Sequence, residues 1–364
     1  MRYAMIMAGG AGTRLWPVSR RHRPKQLIPL FGGKSLLELA MGRLDAMVPS
    51  DRRYVCAGLD HRDAVLDLLP DLDTDHYLGE PVSRDTLNAV GFAAAVIGRR
   101  DPDAVIAVFT ADHIIEPADV FHRVVENGFA LAESGHDTLV TFGIAPTRPA
   151  TGYGYLELGE SIAAEARIVS QFKEKPEAPT AQQYFDAGPS AYLWNSGMFV
   201  WRADVLIRCI KRYEPQTHNA LCELADAYDT ADRNDVVGRL YPTLKKISVD
   251  YALMEPASRD STVRVAALPM PVTWLDVGAW PAIAQTCDKD EHNNAMSARQ
   301  HVLLNTKNTF VVSDDPDHLI AAVGCDNLII VHTADATLVC RADQTEQIKK
   351  LHEMVGEKFG EERL

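Results

Sequence analysis

The sequence contains no apolar run that approaches the ~18 residues of a membrane-spanning helix, and it has no excess of positive charge. Its 37 lysines and arginines are outnumbered by 50 aspartates and glutamates, which gives a formal net charge of −13. A nucleic-acid-binding surface needs a net basic face, so this balance argues against nucleic acid as a partner. A local cluster of lysine and arginine would still suffice to hold an anionic small molecule. We therefore expect a cytoplasmic protein that binds neither membrane nor nucleic acid.

Neither a targeting segment nor a cysteine framework is recognisable. The apolar run at residues 3–8 is shorter than the core of a signal peptide, and Gly9 and Gly10 follow it directly, so it predicts a buried first strand. None of the six cysteines pairs with another at the CxxC spacing of a zinc knuckle. In a reducing compartment such cysteines are most simply small core residues, although the sequence leaves a catalytic thiol open.

A chain of 364 residues that is 46% hydrophobic is long enough for two globular domains. In its first half, short apolar runs such as residues 104–110 alternate with segments of helical periodicity such as residues 86–97. This alternation predicts an α/β fold, Rossmann-like, with a mixed, mainly parallel sheet and helices on both faces. Because ligands bind beyond the carboxyl ends of such strands, the chemistry should lie just after Met7 and just after Thr110.

The pattern changes near residue 293. Residues 288–294 are polar and turn-rich, which indicates a linker, and short β-type runs separated by Asp, Gly and Asn turns follow as far as Arg341. The last segment, residues 344–359, again has helical spacing. These changes predict a catalytic domain at residues 1–290, a small β domain at residues 295–343 and a helical tail at residues 344–364.

The strongest chemical signal is the stretch at residues 8–26, which reads AGGAGTRLWPVSRRHRPKQ. Its glycines allow backbone N–H groups to approach phosphate oxygens closely, and Arg14 and Lys25 add positive charge. The dinucleotide fingerprint GxGxxG fails because Leu15 stands at its third glycine, and a Walker A loop fails because Ile28 stands at its first glycine. A tight structural connection is the alternative for the glycines alone.

Two aspartates are candidates for a metal site. Asp112 follows an apolar run, and Asp276 lies between Leu275 and Val277, an apolar setting in which a carboxylate needs a partner. If both face one cation they suit Mg²⁺, which prefers oxygen ligands and usually keeps substrate phosphates in its shell. A helix N-cap for Asp112 and a buried ion pair for Asp276 are the structural alternatives.

Two further segments fit a sugar phosphate. Lys175 precedes Pro176, and because residues before proline favour extended backbone, we expect Lys175 to be held off any helix and free to point into a cleft. A solvated loop lysine is the alternative. Residues 194–199 combine Trp194, a flat apolar wall, with the hydrogen-bonding side chain of Asn195. A strand edge followed by a turn is the alternative there.

Taken together, these segments resemble the sugar-nucleotide pyrophosphorylases, and in particular the mannose-1-phosphate guanylyltransferase branch of that family. The matching segments occur in family order along the predicted catalytic domain. They are Thr13-Arg14-Leu15-Trp16-Pro17, Ser19-Arg20, Pro24-Lys25-Gln26, Gly79-Glu80-Pro81, Arg84-Asp85-Thr86, Ala111-Asp112-His113, Gly152-Tyr153-Gly154-Tyr155, Phe172-Lys173-Glu174-Lys175-Pro176, Trp194-Asn195-Ser196-Gly197-Met198-Phe199, Ser248-Val249-Asp250-Tyr251 and Trp274-Leu275-Asp276-Val277-Gly278.

The resemblance implies a GT-A-like nucleotidyltransferase domain and a short C-terminal domain like a left-handed β-helix. It implies transfer of GMP from GTP to α-D-mannose 1-phosphate by attack on the α-phosphorus, with Mg²⁺ as cofactor held by Asp112 and Asp276. The implied catalytic residues are Arg14, Lys25, Asp112, Lys175 and Asp276. The implied nucleotide-binding residues are Ala8, Gly9, Gly10, Gly12, Thr13, Arg14, Lys25, Glu80, Thr86 and Asp112. The implied sugar-phosphate-binding residues are Gly154, Glu174, Lys175, Asn195 and Asp250.

Two other functions stay open. One is the same chemistry with another sugar 1-phosphate, such as a manno-heptose 1-phosphate, or with another nucleotide. The other is a non-catalytic regulator that binds a sugar nucleotide, although loss of Lys25, Asp112 or Asp276 would be expected in such a protein. The chain departs from its relatives at Asn88 and Thr110, where they commonly have proline, and the first departure falls near the expected base pocket. A homodimer is the expected assembly.

Overall fold

The structure is a computed structural model that describes residues 1–10, 12–30, 32–135, 137–163 and 165–364. Its strands are β1 (Arg2–Met7), β2 (Arg53–Gly58), β3 (Tyr77–Glu80), β4 (Val105–Thr110), β5 (His113–Glu116), β6 (Thr138–Ile144), β7 (Tyr155–Ala163), β8 (Ala166–Lys173), β9 (Tyr192–Arg202), β10 (Arg264–Pro269), β11 (Thr273–Asp276), β12 (Ala295–Ser297), β13 (Gln300–Leu304), β14 (Phe310–Ser313), β15 (Leu319–Val323), β16 (Leu328–His332) and β17 (Thr337–Arg341). Its α-helices are α1 (Leu36–Gly42), α2 (Arg62–Leu68), α3 (Thr86–Arg100), α4 (Ala118–Ala132), α5 (Ala178–Ala187), α6 (Ala203–Tyr213), α7 (Pro215–Tyr228), α8 (Arg233–Leu240), α9 (Glu255–Ala257), α10 (Trp280–Ala284) and α11 (Ile348–Phe359).

The described residues form two compact units, and neither unit is one continuous piece of chain. The first unit, called the sheet unit below, contains residues 1–9, 40–111 and 115–274. The second, called the loop unit, contains residues 10–39, 112–114 and 275–364. Each unit has its own hydrophobic core.

The sheet unit is built on a sheet in the order β3-β2-β1-β4-β9-β6-β10-β8-β7, counted over the described residues. Strands β1 to β4 pair in parallel, and β6 and β10 also pair in parallel. Strand β9 runs antiparallel to both β4 and β6, and β8 runs antiparallel to β10. The predicted α/β fold with a mixed, mainly parallel sheet is therefore confirmed.

The expected meeting of two strand ends is present in this sheet. Strands β1 and β4 are parallel neighbours, with Met7 opposite Thr110. The N–H of Ala111 donates to the carbonyl of Met7 at 2.9 Å, which continues the pairing one residue further. The carboxyl ends of these two strands therefore lie next to each other at one edge of the sheet, as expected for neighbouring parallel strands.

Helix α3 covers the sheet and forms the centre of the core of this unit. Every residue from Leu87 to Ile97 is buried, and helices α6 and α7 pack against α3. A helix that is apolar all round must be enclosed on several sides. The small residues of α3 allow this close packing: a Cβ built on Gly91 would lie 2.6 Å from the Cδ1 atom of Leu221.

The C-terminal part of the loop unit consists of stacked short strands. Strands β12, β14 and β16 pair in parallel, as do β13 and β15, and β17 closes the stack in an antiparallel pair with β16. Asparagines with positive φ make the turns, and their side chains bond from one turn to the next: Asn293 Nδ2 donates to Asn308 Oδ1 at 2.9 Å, and Asn308 Nδ2 donates to Asp326 Oδ1 at 3.0 Å. Parallel strands on repeating turns confirm the predicted β-helix-like module.

Residues 288–294 form the first turn of this module and are tightly bonded to it. Asn294 is fully buried, and its Nδ2 group donates to Asp290 Oδ2 at 2.9 Å and to the carbonyl of Thr306 at 2.9 Å.

Within the described residues, no helix is long and apolar enough to cross a membrane.

Candidate active site

The glycine-rich bend after β1 has a conformation that requires glycine. Gly10 has φ +105° and Gly12 has φ +60°, a region that side chains other than glycine rarely adopt. A Cβ on Gly12 would lie 2.7 Å from Ser19 Oγ and 3.0 Å from Lys25 Cβ. Ala11 lies outside the described residues. Thr13, the next predicted ligand, begins a short 3₁₀ turn, Thr13–Leu15.

Lys25 is buried beside Asp112. Its ammonium group donates to Asp112 Oδ2 at 2.8 Å and to the carbonyl of Val277 at 3.0 Å. Only 8% of the residue is exposed. A buried lysine needs such partners, and the contacts fix its charge next to a carboxylate from a distant part of the sequence. The loop unit therefore brings Lys25 and Asp112 together, as the resemblance implies.

Asp276 meets Asp112 in the same place. The N–H of Val277 donates to the carbonyl of Asp112 at 2.9 Å. As a result, ligand atoms of Asp112, His113 and Asp276 all lie within 4.8 Å of one another. This is a group of donors that could hold a metal ion. His113 is not among the site residues predicted from the sequence, although its position next to Asp112 is a signal for it.

Arg14 lies at the edge of this group. A Cβ on Gly278 would be 3.6 Å from Arg14 Nη2 and 3.6 Å from Asp276 Oδ1, so the guanidinium and the carboxylate flank the same glycine. The other guanidinium nitrogen, Nη1, donates to Glu346 Oε1 at 2.7 Å. Arg14, Lys25, Asp112 and Asp276 thus share one end of the loop unit.

The predicted base-binding residues belong to the sheet unit. Glu80 ends β3 and is buried, and Tyr241 donates its hydroxyl hydrogen to Glu80 Oε1 at 2.7 Å. Burial raises the pKa of the Glu80 carboxyl, whereas the bond from Tyr241 opposes this rise. The hydroxyl oxygen of Thr86 accepts from the N–H of Val249 at 2.9 Å. The N–H of Ala8 donates to the Cys56 carbonyl at 2.8 Å, so this donor of Ala8 is already bonded.

Gly9 lies next to Glu80 in the same unit. A Cβ on Gly9 would be 3.8 Å from Glu80 Oε2, whereas Tyr241 donates to the other carboxylate oxygen, Oε1. This spacing keeps one oxygen of Glu80 close to the backbone that follows β1.

The predicted sugar-phosphate residues form a second cluster in the sheet unit. Asn195 Nδ2 donates to Asp250 Oδ1 at 3.0 Å, and the N–H of Asn195 donates to the carbonyl of Gly154 at 2.8 Å. Lys175 Nζ lies 3.1 Å from Glu174 Oε1. A Cβ on Gly154 would be 2.5 Å from Glu174 Oε2, so glycine is needed there to admit the carboxylate. The structure brings these five residues together.

The backbone prediction for Lys175 is wrong in one respect. Its φ is +43°, a left-handed turn conformation and not the extended one that a following proline favours. The residue before it in the turn is fixed by a hydrogen bond, in which the N–H of Glu174 donates to Glu255 Oε1 at 3.0 Å. Glu255 gave no sequence signal. Lys175 is still held off any helix, and 57% of its side chain is exposed.

The strand-edge interpretation of residues 194–199 is also wrong. They lie inside β9, an interior strand of the large sheet. Trp194 is buried, and its ring meets that of Tyr153 edge-on at 5.1 Å. Thr141, which sequence reasoning missed, donates its hydroxyl hydrogen to Asn195 Oδ1 at 2.8 Å. This bond fixes the amide of Asn195 so that its NH₂ group faces Asp250.

Charges in the sugar-phosphate cluster strongly influence one another. Burial and the neighbouring Glu174 raise the pKa of Asp250 to about 7. Burial raises the pKa of Glu174, and the ammonium group of Lys175 opposes that rise. For Lys175, partial burial disfavours the charge, but the Glu174 carboxylate outweighs it and raises the pKa. Two carboxyls and one lysine therefore share this cluster.

The raised pKa of Asp250 predicts a pH-dependent effect on stability. A carboxyl that ionises near 3.8 in the unfolded chain and near 7 in the folded one makes the protein less stable as pH rises between those values. Asp250→Asn removes this loss, so we expect its melting temperature at pH 8 to exceed that of the wild type by roughly 2–4 °C. The difference should disappear near pH 4, where Asp250 is protonated.

Thermal unfolding followed by circular dichroism at pH 4, 6 and 8 measures this effect. The matched control is Asp71→Asn, since Asp71 is an exposed carboxylate of the same unit. Equal melting-temperature differences for Asp250→Asn at all three pH values would show that Asp250 does not titrate in this range.

Comparisons with known proteins identify the family to which the chain belongs. Residues 3–293 match the family described as Nucleotidyl transferase, and residues 299–355 match the MannoseP isomerase/GMP-like beta-helix domain. The chain therefore belongs to the nucleotidyl transferase family, and it is an enzyme of this kind. Enzymes of this family use a nucleoside triphosphate and a sugar phosphate, and generally a divalent metal.

Named relatives place the chain more closely within that family. The mannose-1-phosphate guanylyltransferase of Klebsiella pneumoniae is 36% identical over 98% of this chain and 74% of its own length. The enzyme of the same name from Escherichia coli is 35% identical over 98% of this chain and 74% of its own length. A crystal structure from Thermus thermophilus, described as a mannose-1-phosphate geranyltransferase, has a TM-score of 0.85 and 30% identity, and covers 97% of this chain and 99% of its own.

Proposed function

We propose that this enzyme transfers GMP from GTP to α-D-mannose 1-phosphate, which yields GDP-mannose and pyrophosphate. The observation that carries the proposal is the convergence of Lys25, Asp112 and Asp276, with Lys25 packed against Gly12 of the glycine bend. A cation and two carboxylates gathered from distant parts of the sequence suit a metal-assisted reaction between two anions. The names of the relatives supply the identities of the base and the sugar.

We propose Mg²⁺ as the metal, with Asp112 and Asp276 as its protein ligands. Carboxylate oxygens are the donors that Mg²⁺ prefers, and the donor atoms of both residues belong to one group. His113, in the same group, would add a nitrogen donor. When bound, the metal supplies Lewis-acid stabilisation of charge on the phosphates.

The loop unit would hold the triphosphate. Gly10 and Gly12 present backbone N–H groups without Cβ atoms in the way, and Arg14 would bind the β- and γ-phosphates. Lys25 would neutralise the charge that develops at the α-phosphoryl group. Its two fixed acceptors, Asp112 and the carbonyl of Val277, keep the ammonium group in place before substrate binds.

The sheet unit would recognise the base and the sugar phosphate. Glu80 would accept from the N1–H and N2–H groups of guanine, donors that adenine lacks, with Thr86 and the backbone near Ala8 as its neighbours. Lys175 would bind the phosphate of the sugar phosphate. Asn195, Asp250 and Glu174 would bind sugar hydroxyls or orient Lys175.

No general base is needed for this reaction, because the attacking phosphate oxygen is already an anion. The protein accelerates the reaction by alignment and by stabilising charge. A buried lysine and an arginine on the triphosphate, together with a lysine on the sugar phosphate, would hold two negative reactants that otherwise repel each other.

Release of pyrophosphate measured over a panel of nucleotides and sugar phosphates tests the proposal. With Mg²⁺, we expect GTP and mannose 1-phosphate to give the highest kcat/KM, with GTP preferred over ATP by roughly 10²-fold because a buried carboxylate is left unpaired by adenine. Higher kcat/KM with a manno-heptose 1-phosphate or another nucleotide would reassign the substrate. Tight binding of GDP-mannose without any turnover would instead show a non-catalytic binding protein.

We also propose a homodimer, in which a second copy covers the exposed apolar face of β13 and β15. This face carries side chains that are more than half exposed, namely Val302, Leu304, Leu319 and Val323. Contiguous exposed apolar patches are a feature of protein–protein interaction sites. Sedimentation analysis should give a dimer that Val302→Asp weakens; a monomeric wild type would contradict this assembly.

A further inference from the structure

The guanidinium of Arg14 is held between two different neighbours. One edge of the group, at Nη1, donates to Glu346 Oε1 at 2.7 Å. The other edge, at Nη2, lies beside Gly278, and Asp276 Oδ1 flanks the same glycine. Because the guanidinium is planar and rigid, fixing one edge also fixes the direction of the remaining donors. The bond to Glu346 therefore leaves the second edge of Arg14 beside Gly278, the glycine that Asp276 also flanks.

The ion pair itself adds little to folding. Arg14 has 43% of its side chain exposed and Glu346 has 78%, so water screens the attraction between them. The same modest free energy limits how strongly Glu346 orients Arg14, while the geometry of a charge-assisted bond between a guanidinium and a carboxylate sets the direction. We therefore expect a small but measurable effect of Glu346 on the orientation of Arg14.

Glu346 is in turn held in place by the segment around it. It lies in the 3₁₀ turn Ala342–Gln347, directly before α11. Ile348, the first residue of α11, is buried in the same core as Leu15 and Trp16, which follow Arg14. The indole N–H of Trp16 also donates to the carbonyl of Arg363 at 2.9 Å. The C-terminal segment therefore packs in one core with the chain around Arg14 at Ile348 and is hydrogen-bonded to it at Arg363.

We propose that Glu346 is a positioning residue that orients Arg14 for the nucleoside triphosphate. This inference rests on the proposed function of Arg14 as a phosphate ligand. The carboxylate holds Nη1, and the N–H groups on the other edge of the guanidinium are thereby directed to where the triphosphate would bind. If Glu346 instead competed with GTP for Arg14, GTP would have to displace it, and removing Glu346 would lower the KM for GTP.

The chain offers a matched control for this test. Glu361, on the same C-terminal segment, pairs with Arg21 at 2.5 Å, and both side chains are about as exposed as Glu346. We expect Glu346→Ala to raise the KM for GTP by about 2–5-fold with little change in kcat. Glu346→Gln keeps an acceptor oxygen and should fall between Glu346→Ala and the wild type. Glu361→Ala should leave the KM for GTP unchanged.

A double-mutant cycle separates positioning from a general structural effect. In an Arg14→Ala background, Glu346→Ala should produce no further change in the KM for GTP, because its target is gone. A lower KM in Glu346→Ala, or an equal increase with and without Arg14, would overturn the inference. If Arg14→Ala alone left GTP binding unchanged, the phosphate-binding role of Arg14 would be wrong instead.

Discussion

Replacing Lys25 by alanine should lower kcat by about 10²-fold or more, which is the scale of losing one preorganised donor to a developing negative charge. Lys25 is buried, and its ammonium group donates to Asp112 and to the carbonyl of Val277. Water cannot easily replace a charge held in this way. Steady-state release of pyrophosphate at saturating GTP and sugar phosphate measures the effect.

Lys34→Ala is the control for this variant, because Lys34 is an exposed lysine of the same unit. It should keep wild-type kcat. Since Lys25→Ala leaves Asp112 without this partner, its fold is checked by thermal unfolding, and small alkylamines are added to restore the missing charge. Full turnover in a folded Lys25→Ala protein would remove Lys25 from the mechanism, whereas partial rescue by an amine would support it.

Asp276→Asn should cause the second large loss, roughly 10²–10³-fold in kcat at physiological Mg²⁺, since binding and activating the metal require an ionised carboxylate. Its oxygen lies in one group with ligand atoms of Asp112 and His113. We choose Asp276 rather than Asp112 because Asp112 also pairs with Lys25. Titration of activity with MgCl₂ should show a weaker apparent affinity for the metal as well as a lower maximum.

The matched control here is Asp314→Asn, since Asp314 is an exposed carboxylate of the same unit. Its Mg²⁺ titration should coincide with that of the wild type. An Asp276→Asn protein with an unchanged Mg²⁺ dependence and an unchanged kcat would show that the metal binds elsewhere. Repeating the titration with Mn²⁺ examines the role of His113, because Mn²⁺ accepts a nitrogen ligand more readily than Mg²⁺ does.

Elements that depend on local pattern could be predicted from the sequence. Strand β4 and helix α3 follow from a short apolar run and a helical stripe, because each is set by neighbouring residues. The adjacency of the ends of β1 and β4 follows from the rule for parallel sheets. Strand β9 was not identified, because its burial between β4 and β6 depends on pairings with distant segments.

In the candidate site too, local motifs could be predicted from the sequence, whereas contacts between distant residues could not. The glycine bend is visible as a local motif, and Gly10 and Gly12 have the positive φ that such a motif needs. The meeting of Asp112 with Asp276 came from the resemblance, because no periodicity links residues so far apart. Thr141, Glu255 and Tyr241 were missed, since a single threonine, glutamate or tyrosine acquires a role only when the fold places it beside Asn195, Glu174 or Glu80.

The core of the loop unit has a consequence for chimaeric enzymes. Trp16, Trp280 and Phe310 come from three separate stretches of chain, yet they are buried in one cluster. The β-helix-like module therefore shares its hydrophobic core with the N-terminal segment around Trp16 and is not an independent domain. A hybrid spliced near residue 290, with its C-terminal part taken from a relative, would mismatch the side chains that pack in one cluster with Trp16. Grafting this module therefore requires that the partners of Trp16 be transferred with it.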